Sequence, residues 1–269
     1  MAIYVMSDLH GQYSLFKKML KLINFSNKDT LYIIGDVIDR GPESIPMLLD
    51  IANRDNVQLI MGNHEKMMLN AINIGGYDNY RLWFRNGGNS TNKQFEDLYE
   101  VEKSALLDYL ENLPYHIEIE LHEKKYYLAH STFSKELDEK DIYNSNFENI
   151  YDEENSLEEM IWNREYPFRN IKKLWPKTYE KYKDYILIAG HTPNINYQEK
   201  NILKCANNNK QYKSNIFFSN KGHYINIDCG LALETTDLIQ IRLGCLCLDN
   251  MKEFYVNKPK SESFIPLFS

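Results

Sequence analysis

Three short apolar runs, each closed by a cluster of carboxylate, amide and imidazole side chains, dominate the start of the chain. The run at 2–6 ends in Ser7-Asp8-Leu9-His10-Gly11. Leu31-Tyr32-Ile33-Ile34 ends in Gly35-Asp36-Val37-Ile38-Asp39-Arg40-Gly41, and Val57-Gln58-Leu59-Ile60-Met61 ends in Gly62-Asn63-His64-Glu65. Between them, Leu15, Phe16, Met19, Leu20 and Ile23, and then Ile45, Leu48, Leu49 and Ala52, recur at helical spacing. Pro42 and Glu43 suit the first turn of the second helix. This β-α-β-α-β order predicts a parallel sheet with right-handed crossovers. Such sheets bind ligands just past the carboxyl ends of their strands, and all three clusters fall there.

The middle of the chain reads as helical over 64–72, 78–85, 89–98 and 101–111. After Pro114, Ile117-Glu118-Ile119-Glu120-Leu121 alternates apolar with charged, which predicts a strand with one wet face. Glu123-Lys124-Lys125 is the expected turn, and Tyr126-Tyr127-Leu128-Ala129 returns as a buried strand into His130. His116 and His122 share the phase of Glu118 and Glu120, so both are expected to face solvent, while His223 beside Gly222 reads as a turn residue. Lys17-Lys18 and Lys172-Lys173 read as solvated faces. Residues 132–180 lack a clean period and read as a helical or irregular excursion facing the substrate, within one domain spanning 1–269. Further strands are expected at 185–189, 201–205, 223–228, 238–243 and 253–256.

The 269 residues are 43% hydrophobic and 26% charged, ordinary for a chain that buries a real core. No stretch approaches the roughly 18 consecutive apolar residues of a membrane span. The N-terminus lacks a basic segment followed by a long apolar run, so a cytoplasmic protein with no membrane partner is expected. A net charge of −7 argues against a nucleic acid polymer as partner, though metals and a few arginines can make one pocket positive. Cys205, Cys229, Cys245 and Cys247 do not have zinc-cluster spacing and read as reduced, packed thiols.

Two more histidines end later strands: His130 in Leu128-Ala129-His130-Ser131 and His191 in Ala189-Gly190-His191-Thr192. Any one of the five clusters alone is most simply a tight turn, a capped helix or a satisfied structural histidine. Five of them at successive strand ends point to a shared metal site. Oxygen and imidazole donors in this mix suit manganese, iron or zinc and are too nitrogen-rich for a calcium cage.

The succession Asp-x-His-Gly, Gly-Asp-x-x-Asp-Arg-Gly, Gly-Asn-His-Glu and two later histidines resembles the phosphoprotein phosphatase family of calcineurin-like metallophosphoesterases. The similarity runs from Ser7 to about Gly230 and is closest to the small bacterial and phage branch, which includes symmetrical dinucleoside tetraphosphate hydrolases. The resemblance implies an α/β fold of two packed mixed β-sheets flanked by helices. It implies that Asp8, His10 and Asp36 hold one divalent metal, manganese first with iron or zinc as alternatives. Asp36 then bridges to a second metal held by Asn63, His130 and His191. Two metals about 3.5–4 Å apart clamp a phosphate and share a water that attacks phosphorus, with no covalent phosphoenzyme. Arg40 is expected to hold phosphate oxygens, His64 to protonate the leaving alkoxide and Asp39 to orient His64. Trp162-Asn163-Arg164-Glu165 matches the segment that brings a second arginine, Arg164, to the phosphate. In Ile225-Asn226-Ile227-Asp228-Cys229-Gly230, Asp228 either orients a ligand histidine or supports the fold.

Two departures from the family pattern stand out. Ser7 replaces a glycine often found before the first Asp, and Ala129-His130-Ser131 replaces a His-Gly-Gly, which favours the bacterial branch. The expected function is a serine/threonine protein phosphatase acting on a phosphorylated protein. The alternative is hydrolysis of a small phosphoester or dinucleotide such as diadenosine tetraphosphate. An inactive binding scaffold is disfavoured by the complete ligand set together with His64 and Arg40.

Overall fold

The structure is a computed structural model that describes residues 1–136, 153–164, 171–219 and 222–260. It opens with β1 (Ile3–Met6), α1 (Tyr13–Leu22), β2 (Thr30–Ile34), α2 (Ser44–Ala52) and β3 (Val57–Ile60). Helix α3 (Asn63–Leu69) runs on through one π-helical turn, Asn70–Ile74, and is followed by α4 (Tyr77–Arg85), α5 (Asn89–Glu96) and α6 (Glu100–Glu111). A hairpin of β4 (His116–Leu121) and β5 (Lys124–Ala129) precedes α7 (Glu153–Trp162), α8 (Ile171–Leu174) and α9 (Pro176–Tyr182). Then come β6 (Tyr185–Ala189), α10 (Glu199–Asn207), β7 (Tyr212–Lys213), β8 (Phe217–Phe218) and β9 (Tyr224–Asn226). The final strands are β10 (Ile239–Gln240), β11 (Arg242–Cys247) and β12 (Lys252–Asn257).

Two five-stranded sheets carry the fold, in the orders β12-β11-β1-β2-β3 and β4-β5-β6-β9-β8. In the first, β1, β2 and β3 are parallel, with Met6 opposite Ile33 and Ile34 opposite Ile60. The three carboxyl ends are therefore level, and the loops that follow emerge side by side. In the second, β5, β6 and β9 are parallel, with Leu128 opposite Ile188 and Ala189 opposite Asn226. That register brings His130 and His191 out at one end. Strand pairing thus sets three clusters level on one sheet and two on the other, and the packing of the two sheets brings them together.

Strand parity decides the layers. Val5, Ile34 and Ile60 of the first sheet meet Tyr126, Leu128 and Ile188 of the second in one buried core. The opposite parity of the first sheet, including Met6, Leu31, Ile33 and Leu59, packs with Leu15, Phe16 and Leu48 from α1 and α2. The outer parity of the second sheet, Tyr127, Ala129, Leu187 and Ala189, packs with Met160 and Tyr182 from α7 and α9. Each fully buried aliphatic side chain contributes about 1.5–3 kcal/mol. The resulting order is helix, sheet, sheet, helix, as expected from the sequence. Cys245 and Cys247 lie buried at alternate positions of β11, and all four cysteines are free thiols. No described helix is long and apolar enough to cross a membrane.

Four expectations change in detail. Residues 201–205, expected as a strand, lie inside helix α10, where the Ile202 amide bonds the Gln198 carbonyl. An apolar run as short as Ile202-Leu203 has no period of its own, and no residue of this helix is buried. The hairpin turn is His122-Glu123, both at positive φ, with Lys124 and Lys125 already paired in β5. Helix α2 starts at Ser44, so Pro42 and Glu43 lie just before it. His116, expected in solvent, is half-buried and stacks on Tyr127 with ring centroids 4.7 Å apart. The face it shares with Glu118 is the one α9 covers near the strand start, and only farther along does that face meet water. His122 is exposed, as expected, and His223, expected in a turn, lies in the bend just before β9. Parts of the excursion at 132–180 lie outside the described residues, and the described parts are largely helical.

Candidate metal centre

Each strand of the parallel trio ends in a tight turn, and hydrogen bonds lace the turns together. The amides of Asp8, His10 and Gly11 donate to the carbonyls of Gly35, Asp36 and Val37, at 3.2, 2.9 and 2.7 Å. The buried Glu65 carboxylate accepts the amides of Asp36 and Val37 at 2.8 Å, Gly62 at 3.1 Å and Ile38 at 3.3 Å. Those donors would otherwise be left unpaired inside the protein. Burial and the neighbouring Asp36 push the Glu65 carboxyl up to about 7.

Asp8, His10, Asp36, Asp39, Arg40 and His191 all sit at positive φ. Such backbone costs on the order of 1–3 kcal/mol per residue and persists where the surroundings over-determine it. The tight packing has a second sign at Gly190, where an added Cβ would overlap the Ser7 hydroxyl and an Asp8 carboxylate oxygen. Gly190→Ala is expected to displace Asp8 and His191 and to cost about 1–3 kcal/mol of stability from overpacking. Thermal melting checks the cost, and an unchanged midpoint would contradict this reading of the contact.

Two histidines have their protons placed by backbone carbonyls. His130 Nδ1 lies 2.9 Å from the Ile34 oxygen and His10 Nδ1 3.2 Å from the Ile38 oxygen. A carbonyl only accepts, so Nδ1 is the donor and Nε2 of the neutral ring carries a lone pair. His130 Nε2 is 3.0 Å from Asn63 Oδ1 and 3.4 Å from Asp36 Oδ1. His191 Nδ1 is 2.9 Å from the same Asn63 oxygen, and His10 Nε2 is 3.8 Å from Asp36 Oδ2. Asp8 sits behind this group, its carboxylate accepting the His191 amide at 3.0 and 3.2 Å. These nitrogen and oxygen atoms close on the Asp36 charge, and once the imidazoles have given up their protons there the donor set fits a divalent metal. Two overlapping trios, His10-Asp36-His64 and Asp36-His130-His191, each bring their ligand atoms within 4.8 Å of one another, and Asp36 belongs to both.

The electrostatics follow from crowding. Burial works against a charge on His130, but Asp36, with help from Asp8, raises it to about 10. Burial alone would raise Asp36, yet the positive charges of His130 and His64 hold it well below the usual carboxylate range. Burial and the neighbouring His64 bring His10 down to about 3, while burial and Asp228 raise Asp8. Burial and His130 hold His191 well below its ordinary value.

A second constellation flanks the first. His64 Nδ1 lies 2.6 Å from Asp39 Oδ2, and the Asp39 amide donates to Ser44 Oγ at 2.9 Å and Thr91 Oγ1 at 3.1 Å. Burial opposes protonation of His64, but Asp36 and Asp39 outweigh it and raise its pKa. Arg40 reaches 3.3 Å from His64 Nε2 through a terminal guanidinium nitrogen, and its Nε donates to the Asn86 carbonyl. Arg164 approaches from the end of α7, 3.5 Å from the His191 carbonyl. A cavity of about 220 Å³ is lined by His10, Asp36, Asn63, His64 and His191 together with Arg40 and Arg164.

All ten candidate residues therefore gather in one place. Asp228 lines the cavity too, pushed up to about 6 mainly by burial, and its carboxylate bonds the Gly230 amide at 2.7 Å. The fold-support reading of Asp228 is the one this contact favours. Sequence reasoning gave no role to Glu65, Ser44, Trp83 or Thr91, which hold the site from behind. Glu65 stood inside a noticed motif, whereas Trp83 and Thr91 offered no local signal.

The calcineurin-like phosphoesterase family model matches residues 1–224. Over 135 residues the chain is 36% identical to serine/threonine-protein phosphatase 2 of Escherichia coli K12, covering 49% of this chain and 58% of that protein. Over 77 residues it is 39% identical to the symmetrical bis(5'-nucleosyl)-tetraphosphatase of Chromobacterium violaceum, covering 28% of this chain and 27% of that one. The matched segments thus span between about a quarter and somewhat over half of these relatives. A metallophosphoesterase structure from Sphaerobacter thermophilus shares the fold, with a TM-score of 0.53 at 14% identity over 97% of this chain and 90% of that one. The chain belongs to the calcineurin-like phosphoesterase family.

Proposed function

We propose that the chain is a two-metal phosphoester hydrolase whose substrates are phosphoserine and phosphothreonine in proteins. The observation that carries this reading is the convergence of the Asp36, Asn63, His130 and His191 side chains at a small cavity that His64, Arg40 and Arg164 also line, with Asp39 hydrogen-bonded behind His64. Asp8, His10 and Asp36 would hold one divalent cation, and Asp36, Asn63, His130 and His191 the other, with manganese favoured over iron or zinc. Such cations, when bound, offset phosphate charge and make a water easier to deprotonate.

The chain's own residues supply the rest. Arg40 and Arg164 grip non-bridging phosphate oxygens and stabilise charge as it builds toward the transition state. His64 keeps its Nδ1 proton on Asp39, so Nε2 is the atom that hands a proton to the leaving oxygen. In the protonated ring, Nε2 and the Arg40 guanidinium are both donors, and a phosphoryl oxygen between them satisfies both. No side chain in the cavity is needed as a nucleophile.

Metal binding should compete with a proton on His130. At pH 8 a group raised to about 10 is protonated, whereas His10 and His191 are already neutral. Calorimetric titration with manganese in buffers of different ionisation enthalpy is expected to show at least one proton released per protein. Affinity is expected to fall about tenfold per pH unit for each proton displaced as pH is lowered. Binding without proton release would contradict the assignment of His130.

A second reading, hydrolysis of a symmetrical dinucleoside tetraphosphate, is favoured by the similarity to the Chromobacterium violaceum protein. Metal-stripped protein reconstituted with manganese and given p-nitrophenyl phosphate, a phosphothreonine peptide and diadenosine tetraphosphate separates the readings. Preference for the peptide supports the phosphatase, and preference for the dinucleotide, cleaved into two diphosphates, supports the second reading. No turnover with metal bound would leave a binding scaffold.

A further inference from the structure

The Asp39–His64 pair is aimed by a residue 44 positions along the chain. Trp83 is fully buried, and its indole Nε1 donates to both Asp39 oxygens, at 3.1 and 3.0 Å. A buried tryptophan needs one partner for its N–H, and here that partner is a carboxylate already committed to His64. His64 touches only Oδ2, so the indole is the side-chain donor that reaches Oδ1. Without it the carboxylate could turn about its own axis and present either oxygen to His64. The seat of the indole is equally specific. The turn after α4 bonds the Gly88 amide to the Trp83 carbonyl at 3.1 Å, and an added Cβ on Gly88 would lie 2.5 Å from Trp83 Cδ1. The same turn offers the Asn86 carbonyl to Arg40 Nε and the Gly87 carbonyl to the Arg40 amide.

We propose that Trp83 is a positioning residue for phosphoester cleavage: by gripping both Asp39 oxygens it fixes the direction in which His64 Nε2 delivers a proton to the leaving oxygen. This rests on the hydrolase reading above and adds to it a residue outside the cavity. Trp83 does not meet the substrate, so its effect appears only where leaving-group protonation limits the rate. A residue needed merely for folding would lower turnover of every substrate alike.

The test is a series of aryl phosphates with leaving phenols of graded acidity, hydrolysed by manganese-reconstituted wild type, Trp83→Phe and Gly88→Ala. Trp83→Phe keeps a ring in the seat and removes the N–H, while Gly88→Ala keeps the N–H and shifts the ring. Both variants are expected to lose about 10–100-fold on phenyl phosphate, part of what a general acid supplies. On 2,4-dinitrophenyl phosphate, whose phenolate leaves unprotonated, the loss should stay under about 3-fold. Equal losses across the series, with metal content unchanged, overturn the proposal. Should Trp83→Phe not fold, Gly88→Ala supplies the same comparison. A wild-type chain that hydrolyses none of the series overturns the hydrolase reading and this proposal together. An active wild type with parallel variants overturns this proposal alone.

Discussion

Asp36→Asn is expected to empty both metal positions and to lower turnover by about 10³–10⁵-fold. Asp36 is the one residue common to the two ligand trios, with His130 Nε2 3.4 Å from Oδ1 and His10 Nε2 3.8 Å from Oδ2. Asparagine fills the same volume and keeps one acceptor oxygen, so the turn survives, but it replaces a charged acceptor with an amide that donates. That NH₂ would face an imidazole lone pair held in place by the Ile34 or Ile38 carbonyl. Loss of a metal's charge stabilisation is worth several kcal/mol, and each 1.36 kcal/mol is tenfold in rate. The metal-free variant also loses the charge that raises His130, which should fall from about 10 towards the ordinary histidine range or below. Elemental analysis of the purified variant beside its turnover checks the prediction. Full metal occupancy with near-normal turnover would contradict the bridging assignment.

His64→Asn separates chemistry from metal binding. His64 sits next to Asn63, yet its side-chain nitrogens lie nearest Asp39 and Arg40, at 2.6 and 3.3 Å; its Nε2 is 3.9 Å from Asp36 Oδ2, and its backbone amide donates to Asp36 at 3.1 Å. Asparagine retains that amide and the helix start, so both cations should still load. What would disappear, on the proposed role of His64, is the proton donor for the leaving oxygen, a contribution of about 10²–10⁴-fold. The expected result is a manganese titration indistinguishable from wild type and a kcat lower by that factor. Metal loss that matches the loss of rate would make His64 a ligand, as its membership of one of the two trios would then suggest.

The residues proposed to carry this chemistry could be picked out in the sequence because most of them sit where strands end. A strand end followed by Asp-x-His or Gly-Asn-His is visible without an alignment, and level parallel strands turn five separate signals into one site. The two packed sheets, by contrast, were legible only through the family resemblance, and the structure shows which strand parity, Val5, Ile34, Leu128 and Ile188, fills the core between them. The supports were harder to see. Glu65 ties the loops after β2 and β3 together through four amides, and Trp83 and Thr91 meet Asp39 from 44 and 52 residues away. No local period encodes such contacts. His116 misled because alternation gives the face of a strand and not what later covers it. Ile202-Leu203 misled because two apolar neighbours fit a strand and a surface helix equally well.

The most direct test is a stoichiometric one: metal-stripped protein is given manganese in steps and the hydrolysis rate of p-nitrophenyl phosphate is followed at each step. Two cations sharing Asp36 predict that the rate climbs to its plateau only as the second equivalent fills, with Asp36→Asn flat throughout. A plateau at one equivalent, or two bound equivalents with no hydrolysis, would contradict a two-metal phosphoester hydrolase.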